Sequence, residues 1–170
     1  MPQSFNPRDM EKFMDGIKKS IEEKDFKTPE ELQAYLDSFT GKPLPDFDDE
    51  LKDAKSQAQD IIFDAWEEPS QKIRVKMAHE ALAIYPDCAD AYNILAEDKA
   101  KTTPQAKSFY EKGVEAGRRA LGEKLFEEND GHFWGYTQTR PYMRSKAGLM
   151  ECCWVLAKDD EAIAHAREML

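Results

Sequence analysis

The residues best suited to chemistry stand between Gly131 and Met150, in the run "GHFWGYTQTRPYMRSKAGLM". Arg140, Arg144 and Lys146 supply three cations there, with no acidic residue among them. His132, Phe133, Trp134, Tyr136 and Tyr142 are interleaved with these cations. A guanidinium is planar and can donate two parallel hydrogen bonds to a carboxylate or phosphate. Arg140 and Arg144 are four apart, so they share a face if a helix begins near Arg140. The expected partner-binding set is therefore His132, Trp134, Tyr136, Arg140, Tyr142, Arg144 and Lys146, suited to an acidic protein or peptide. The alternative is an inserted plug, with Phe133 and Trp134 in the core and the arginines paired to acidic helices, since aromatic clusters commonly pack inside.

Elsewhere the chemical signals stop short. "HEALA" at His79–Ala83 begins like a zinc-protease helix, but Ala83 occupies the place of the second ligand. The three histidines are far apart in sequence, and no cysteine pair has metal-ligand spacing. A glycine-rich phosphate loop and a "GxSxG" elbow are both missing from the sequence. Carboxylates are plentiful but fall on solvated helical faces. Cys152 and Cys153 are adjacent on a helix and diverge by about 100°, which suits buried thiols better than a redox pair. No catalytic residue, metal or cofactor is expected.

Composition narrows the partners. The chain has 170 residues, 41% hydrophobic and 34% charged, within the range of one folded, helix-rich domain. Lys plus Arg number 24 against 34 for Asp plus Glu, a net charge of −10. Nucleic acid and anionic membrane surfaces both require clustered cations, so neither is expected as a partner. No apolar run reaches the roughly 18 residues of a membrane span, and "MPQSFNPRDMEKF" lacks the form of a secretory signal. Three cysteines without framework spacing suit a reducing compartment, so the expected location is the cytoplasm.

The elements that must position these residues read as helices throughout. Met10, Phe13, Met14, Ile17 and Ile21 recur at steps of three and four. In "TPEELQAYLDSF", Thr28 is the expected N-cap, Pro29 opens the helix and Glu31 closes a capping box. Leu32, Tyr35, Leu36 and Phe39 form its buried stripe. "GKPLPDFDDE" then marks a boundary. A third helix is expected from about Asp48 to Trp66, and a fourth from Gln71 to Tyr85. Pro86 breaks the chain before a fifth, at Ala89–Lys99. The next begins with Thr103 as N-cap and Pro104 in its first turn. After Gly122 the rhythm is interrupted until Pro141. Met143, Ala147, Met150, Cys153 and Trp154 are then spaced for burial, and Ala162, Ile163, Ala166 and Met169 are expected to face inward.

The joint Ala81, Pro86, Tyr92, Leu95, Ala96 resembles that between two tetratricopeptide repeats. Ala58 and Tyr92 are equivalent in that pattern and lie 34 residues apart, the repeat period. Ile62 and Ala65 depart from the pattern, which favours a small residue at the first and an aromatic at the second. Residues Ala81 to Glu111 also look like the suppression-of-tumorigenicity-seven family. These resemblances imply an all-α fold of antiparallel helix pairs stacked as a short right-handed solenoid. An N-terminal helical cap (1–45) is expected before the repeats (46–170), with an inserted loop at about 122–140 and the last repeat incomplete. The function implied is a non-catalytic peptide-binding or scaffold module. The alternatives are an enzyme or small-ligand protein using 131–146 as a pocket, and homodimerisation through the C-terminal end.

Overall fold

A computed structural model describes residues 7–24, 26–40, 53–128 and 133–169. Among the described residues every regular element is helical, so the expected all-α class holds. Two compact units divide the chain, 1–51 and 52–170.

The first unit contains α1 (Pro7–Glu23) and α2 (Pro29–Asp37). Thr28 caps α2 by accepting from the Glu31 amide. The Glu31 carboxylate reaches back to the Lys27 amide at 2.9 Å, one residue earlier than a capping box would place it. The expected apolar stripes meet edge to face but stay only partly buried: no residue of α2 is fully buried, and Met14 of α1 is 43% exposed. Phe13 lies 6.0 Å from Phe39, Tyr35 lies 4.9 Å from Phe39, and the Ser20 and Tyr35 hydroxyls are hydrogen-bonded.

The second unit opens with α3 (Ala54–Glu67) and α4 (Gln71–Ile84), which pack along one another across a three-residue turn and so run antiparallel. The helix begins at Ala54, later than the expected Asp48, because Asp53 takes the N-cap and accepts from the Ser56 amide at 2.7 Å. Ala58, Ile62 and Ala65 of α3 bury against Ala78 and Ala81 of α4. Complete burial of a side chain such as Ile62 is worth about 1.5–3 kcal/mol. Next come α5 (Ala89–Ile94) and a π-helical turn (Leu95–Lys99), closed by the Ala100 amide on the Leu95 carbonyl. The regular helix expected through Lys99 thus widens halfway. That turn carries Asp98 to Arg74, which grips it with two hydrogen bonds of 2.6 and 2.7 Å, while Gln71 donates to the Asp98 carbonyl.

Helix α6 (Thr103–Leu121) is capped by Thr102 rather than Thr103. Thr102 sits three residues before Gln105 and accepts from its amide, while the Gln105 side chain reaches back to the Lys101 amide, again one residue earlier than a capping box would place it. A short α7 (Glu123–Glu128) and two 3-10 turns (Phe133–Gly135 and Thr137–Thr139) lead into α8 (Arg140–Val155) and α9 (Asp159–Arg167). Helices α6 and α8 cross closely because glycine stands at the contact. A Cβ on Gly117 would lie 2.9 Å from that of Tyr142, and one on Gly148 would strike the Tyr110 ring. Leu149 and Cys153, one turn apart on α8, pack against Ala162 of α9. Trp154 was expected inside but is 71% exposed, because its neighbour Cys153 takes the buried face. Ile163 also points outward, at 49% exposure, whereas Ala162 is buried as expected.

Candidate functional site

The arginine–aromatic segment is built from three short pieces: the end of α7, the two 3-10 turns and the first turns of α8. Phe126, Phe133 and Tyr142 form an aromatic trio, with ring centroids 4.8 to 6.0 Å apart. Arg118 lies 4.8 Å over the Phe126 ring while holding Glu123 at 2.7 Å. Burial raises the Tyr142 phenol above its ordinary pKa, so it stays protonated. Thr139 is fully buried, and its hydroxyl sits against the carbonyls of Phe133 and Tyr136. These contacts fix the turn between them, and that turn holds Trp134 and Tyr136 outward.

Helix α8 does begin at Arg140, so Arg140 and Arg144 share a face. Arg144 is turned into the protein. Its guanidinium donates to Asp90 at 2.8 and 2.5 Å and stacks 4.9 Å from the Trp66 ring. Asp90 has no exposed surface and also accepts from Gln59 at 3.2 Å and Asn93 at 2.9 Å. Asn93 in turn accepts from the Ser145 hydroxyl at 2.7 Å and donates to the Pro141 carbonyl. This network joins α3, α5 and α8 through polar groups that would each be costly to bury alone. Two residues beyond Arg144, Lys146 is buried and paired with Glu168 of the chain following α9. His165 lies in the same neighbourhood. Burial first, then the Lys146 ammonium, hold its imidazole below the ordinary pKa.

The seven expected residues therefore separate. Trp134 and Tyr136 are exposed at 52% and 45%. Arg140 is half-buried at the start of α8, while Tyr142, Arg144 and Lys146 serve inward contacts. His132 lies outside the described residues. The Arg144–Asp90 pairing has the form the plug alternative gives the arginines, whereas the 52% exposure of Trp134 departs from it. Sequence reasoning named neither Asp90 nor Trp66 as the partners of Arg144. The only signal was a carboxylate in the first turn of α5, which reads equally well as a dipole-complementing surface residue. Behind Tyr142, a cavity of about 30 Å³ between Tyr85, Gly117 and Gln138 is water-sized. Burial pushes the Cys88 thiol at its edge up to about 12, so it is not a nucleophile at neutral pH.

Among the described residues no group of three His, Cys, Asp or Glu side chains is placed to hold a metal ion. No helix among them is long and apolar enough to cross a membrane. No solved structure matches the chain. The sequence profile described as "ST7 protein" matches residues 47–170. A suppressor of tumorigenicity 7 protein-like from Bos taurus is 40% identical over 115 residues, which is 65% of this chain and 20% of that protein. One from Gallus gallus is 35% identical over 65 residues, 38% of this chain and 12% of that protein. The protein ST7 homolog of Drosophila melanogaster is 40% identical over 57 residues, 34% of this chain and 11% of that protein. The chain thus corresponds to between 11% and 20% of the length of these relatives. With the profile running from residue 47 through the aromatic turn and both polar pairs to residue 170, the chain belongs to the ST7 protein family.

Proposed function

We propose that the chain is a non-catalytic module that binds a protein or peptide, built as a short solenoid of tetratricopeptide-type hairpins and working in the cytoplasm. The observation that carries this reading is the outward display of Trp134 and Tyr136 on a turn tied to the buried Thr139. Aromatic side chains held rigid at a surface lose little freedom on binding and anchor many interfaces. Arg140, which follows them, suits an acidic segment in the partner. The succession α3–α4, α5–α6, α8–α9 supports the solenoid, since each pair packs on the next. An enzymatic or small-ligand pocket behind Tyr142 has no comparable support, because the cavity there is water-sized.

A photo-crosslinking amino acid placed at position 134 of the full chain, in its native cell, tests the reading. A specific adduct is expected at 134 and none at Glu80, an exposed position on α4. Trp134→Ala and Tyr136→Ala should each reduce partner recovery several-fold without changing the melting temperature. The same adducts at both positions, or none at 134, would overturn it. A second reading, self-association through the C-terminal end, draws on the exposure of Ile163. Sedimentation across a concentration series decides it, with Ile163→Asp expected to abolish any dimer.

A further inference from the structure

Away from the aromatic turn, a cleft of about 440 Å³ opens where the π-turn, the start of α6 and the end of α8 meet. Its size falls in the ordinary range of ligand clefts. Ala96 lines it from the π-turn, Ala106 and Tyr110 from α6, and Gly148, Glu151 and Val155 from α8. Two departures from regular packing shape it. The π-turn adds a residue to the helix at one wall, and π-turns recur at functional positions. Gly148 lets the Tyr110 ring lie on the bare backbone of α8.

The polar groups of the cleft define its occupant. Burial first, then Glu97, Cys152 and last Glu151, raise the Tyr110 phenol above its ordinary pKa, so it remains an O–H donor at neutral pH. Among the described residues nothing accepts that hydrogen bond and no cation pairs with Glu151. The side chains of Glu151 and Val155 are exposed, Val155 at 72%. Trp154 lies three residues beyond Glu151 on the same side of α8, and an indole beside a carboxylate suits a guanidinium. A net charge of −10 steers cations toward the surface as a whole. One cation, Lys101, lines the opposite wall.

We propose that this cleft binds a basic peptide segment. An Arg or Lys of the segment pairs with Glu151. A neighbouring apolar side chain seats against Ala96, Ala106, Gly148 and Val155, and a peptide carbonyl accepts from Tyr110. The site is separate from the aromatic turn, so either can stand without the other.

Titration of the isotope-labelled full chain, followed by amide chemical shifts, tests it. The probes are acetyl-Ala-Leu-Arg-Leu-amide and the same peptide with Glu in place of Arg, blocked at both ends so that Lys101 meets no free carboxylate. The Arg peptide should shift amides within 96–106 and 148–155, and the Glu peptide should not. Glu151→Gln should weaken the Arg peptide about ten-fold, as expected for loss of a charge-assisted hydrogen bond. Val155→Ser should weaken it through lost apolar contact. Both positions are exposed, so the variants keep the fold, which the dispersion of their spectra verifies. No shift at these amides, equal response to the two peptides, shifts confined to 133–136, or unchanged affinity in both variants would each overturn the proposal.

Discussion

Asp90 is enclosed on every side, and its carboxylate accepts from Arg144, Gln59 and Asn93. A bidentate guanidinium meets both oxygens, so removing it strands a charge rather than merely losing an ion pair. Arg144→Ala is expected to destabilise the chain by about 3–5 kcal/mol, toward the lower figure because a quarter of the Arg144 side chain is in water. The double replacement Asp90→Asn with Arg144→Met should cost clearly less, and urea unfolding compares the two. His165 gives a pH signature. Burial, with Lys146 beside it, holds its folded pKa below the ordinary imidazole value, while Glu168 and Glu161 oppose the shift and Lys107 adds to it. Below the ordinary value the unfolded chain binds the proton more readily, so stability falls as pH drops through the window down to the folded pKa. It is restored on raising the pH above that window. His165→Gln should flatten this slope in melting temperatures measured between pH 5 and 7, about the range where histidine titrates.

At the scale of elements, the π-turn and the α3–α4 hairpin depend on each other. Arg74 holds Asp98 with two hydrogen bonds and the turn carbonyls of Glu68 and Pro69 with two more. Asp98→Ala should cost on the order of 1.5–3 kcal/mol and speed amide exchange at 95–100, read by hydrogen-exchange mass spectrometry. Sequence spacing made the helices legible, because an apolar stripe at three and four is specific to that period. Caps were legible to within a residue: Thr28 was placed correctly, and Thr102 displaced Thr103 because both precede Pro104 and only one matches Gln105. The π-turn was not legible, since one extra residue in a single turn leaves no periodic trace. The pairs Arg144–Asp90 and Lys146–Glu168 were equally hidden. They join helices far apart in sequence, and a cation four residues from another looks the same whether it faces a partner or the core. Trp154 misled because adjacent Cys153 and Trp154 could each fill the inner face. A sulfhydryl is small enough to fit against Ala162, and an indole is not.

Across the whole molecule, 34 carboxylates against 24 Lys and Arg give a net charge of −10, while the large aromatic side chains Trp134, Tyr136 and Trp154 stand outside the core. Exposed aromatics carry binding energy, and the surrounding charge selects by repulsion which partners approach. The long reach of the Asp90–Arg144 pair has a consequence for how the chain is made. A ribosome delivers Asp90 well before Arg144, so the nascent chain passes through a stage in which α3 to α6 exist without the cation that lets α5 close. During that stage water must remain around the carboxylate, and the hairpins already synthesised stay loosely joined. Emergence of α8 then locks the earlier hairpins at once, which makes completion of the unit abrupt rather than gradual. An arrest-peptide series that measures pulling force against nascent length should show the main onset only after Arg144 has left the exit tunnel. With Asp90→Asn, force should begin earlier, while the chain still ends within α6.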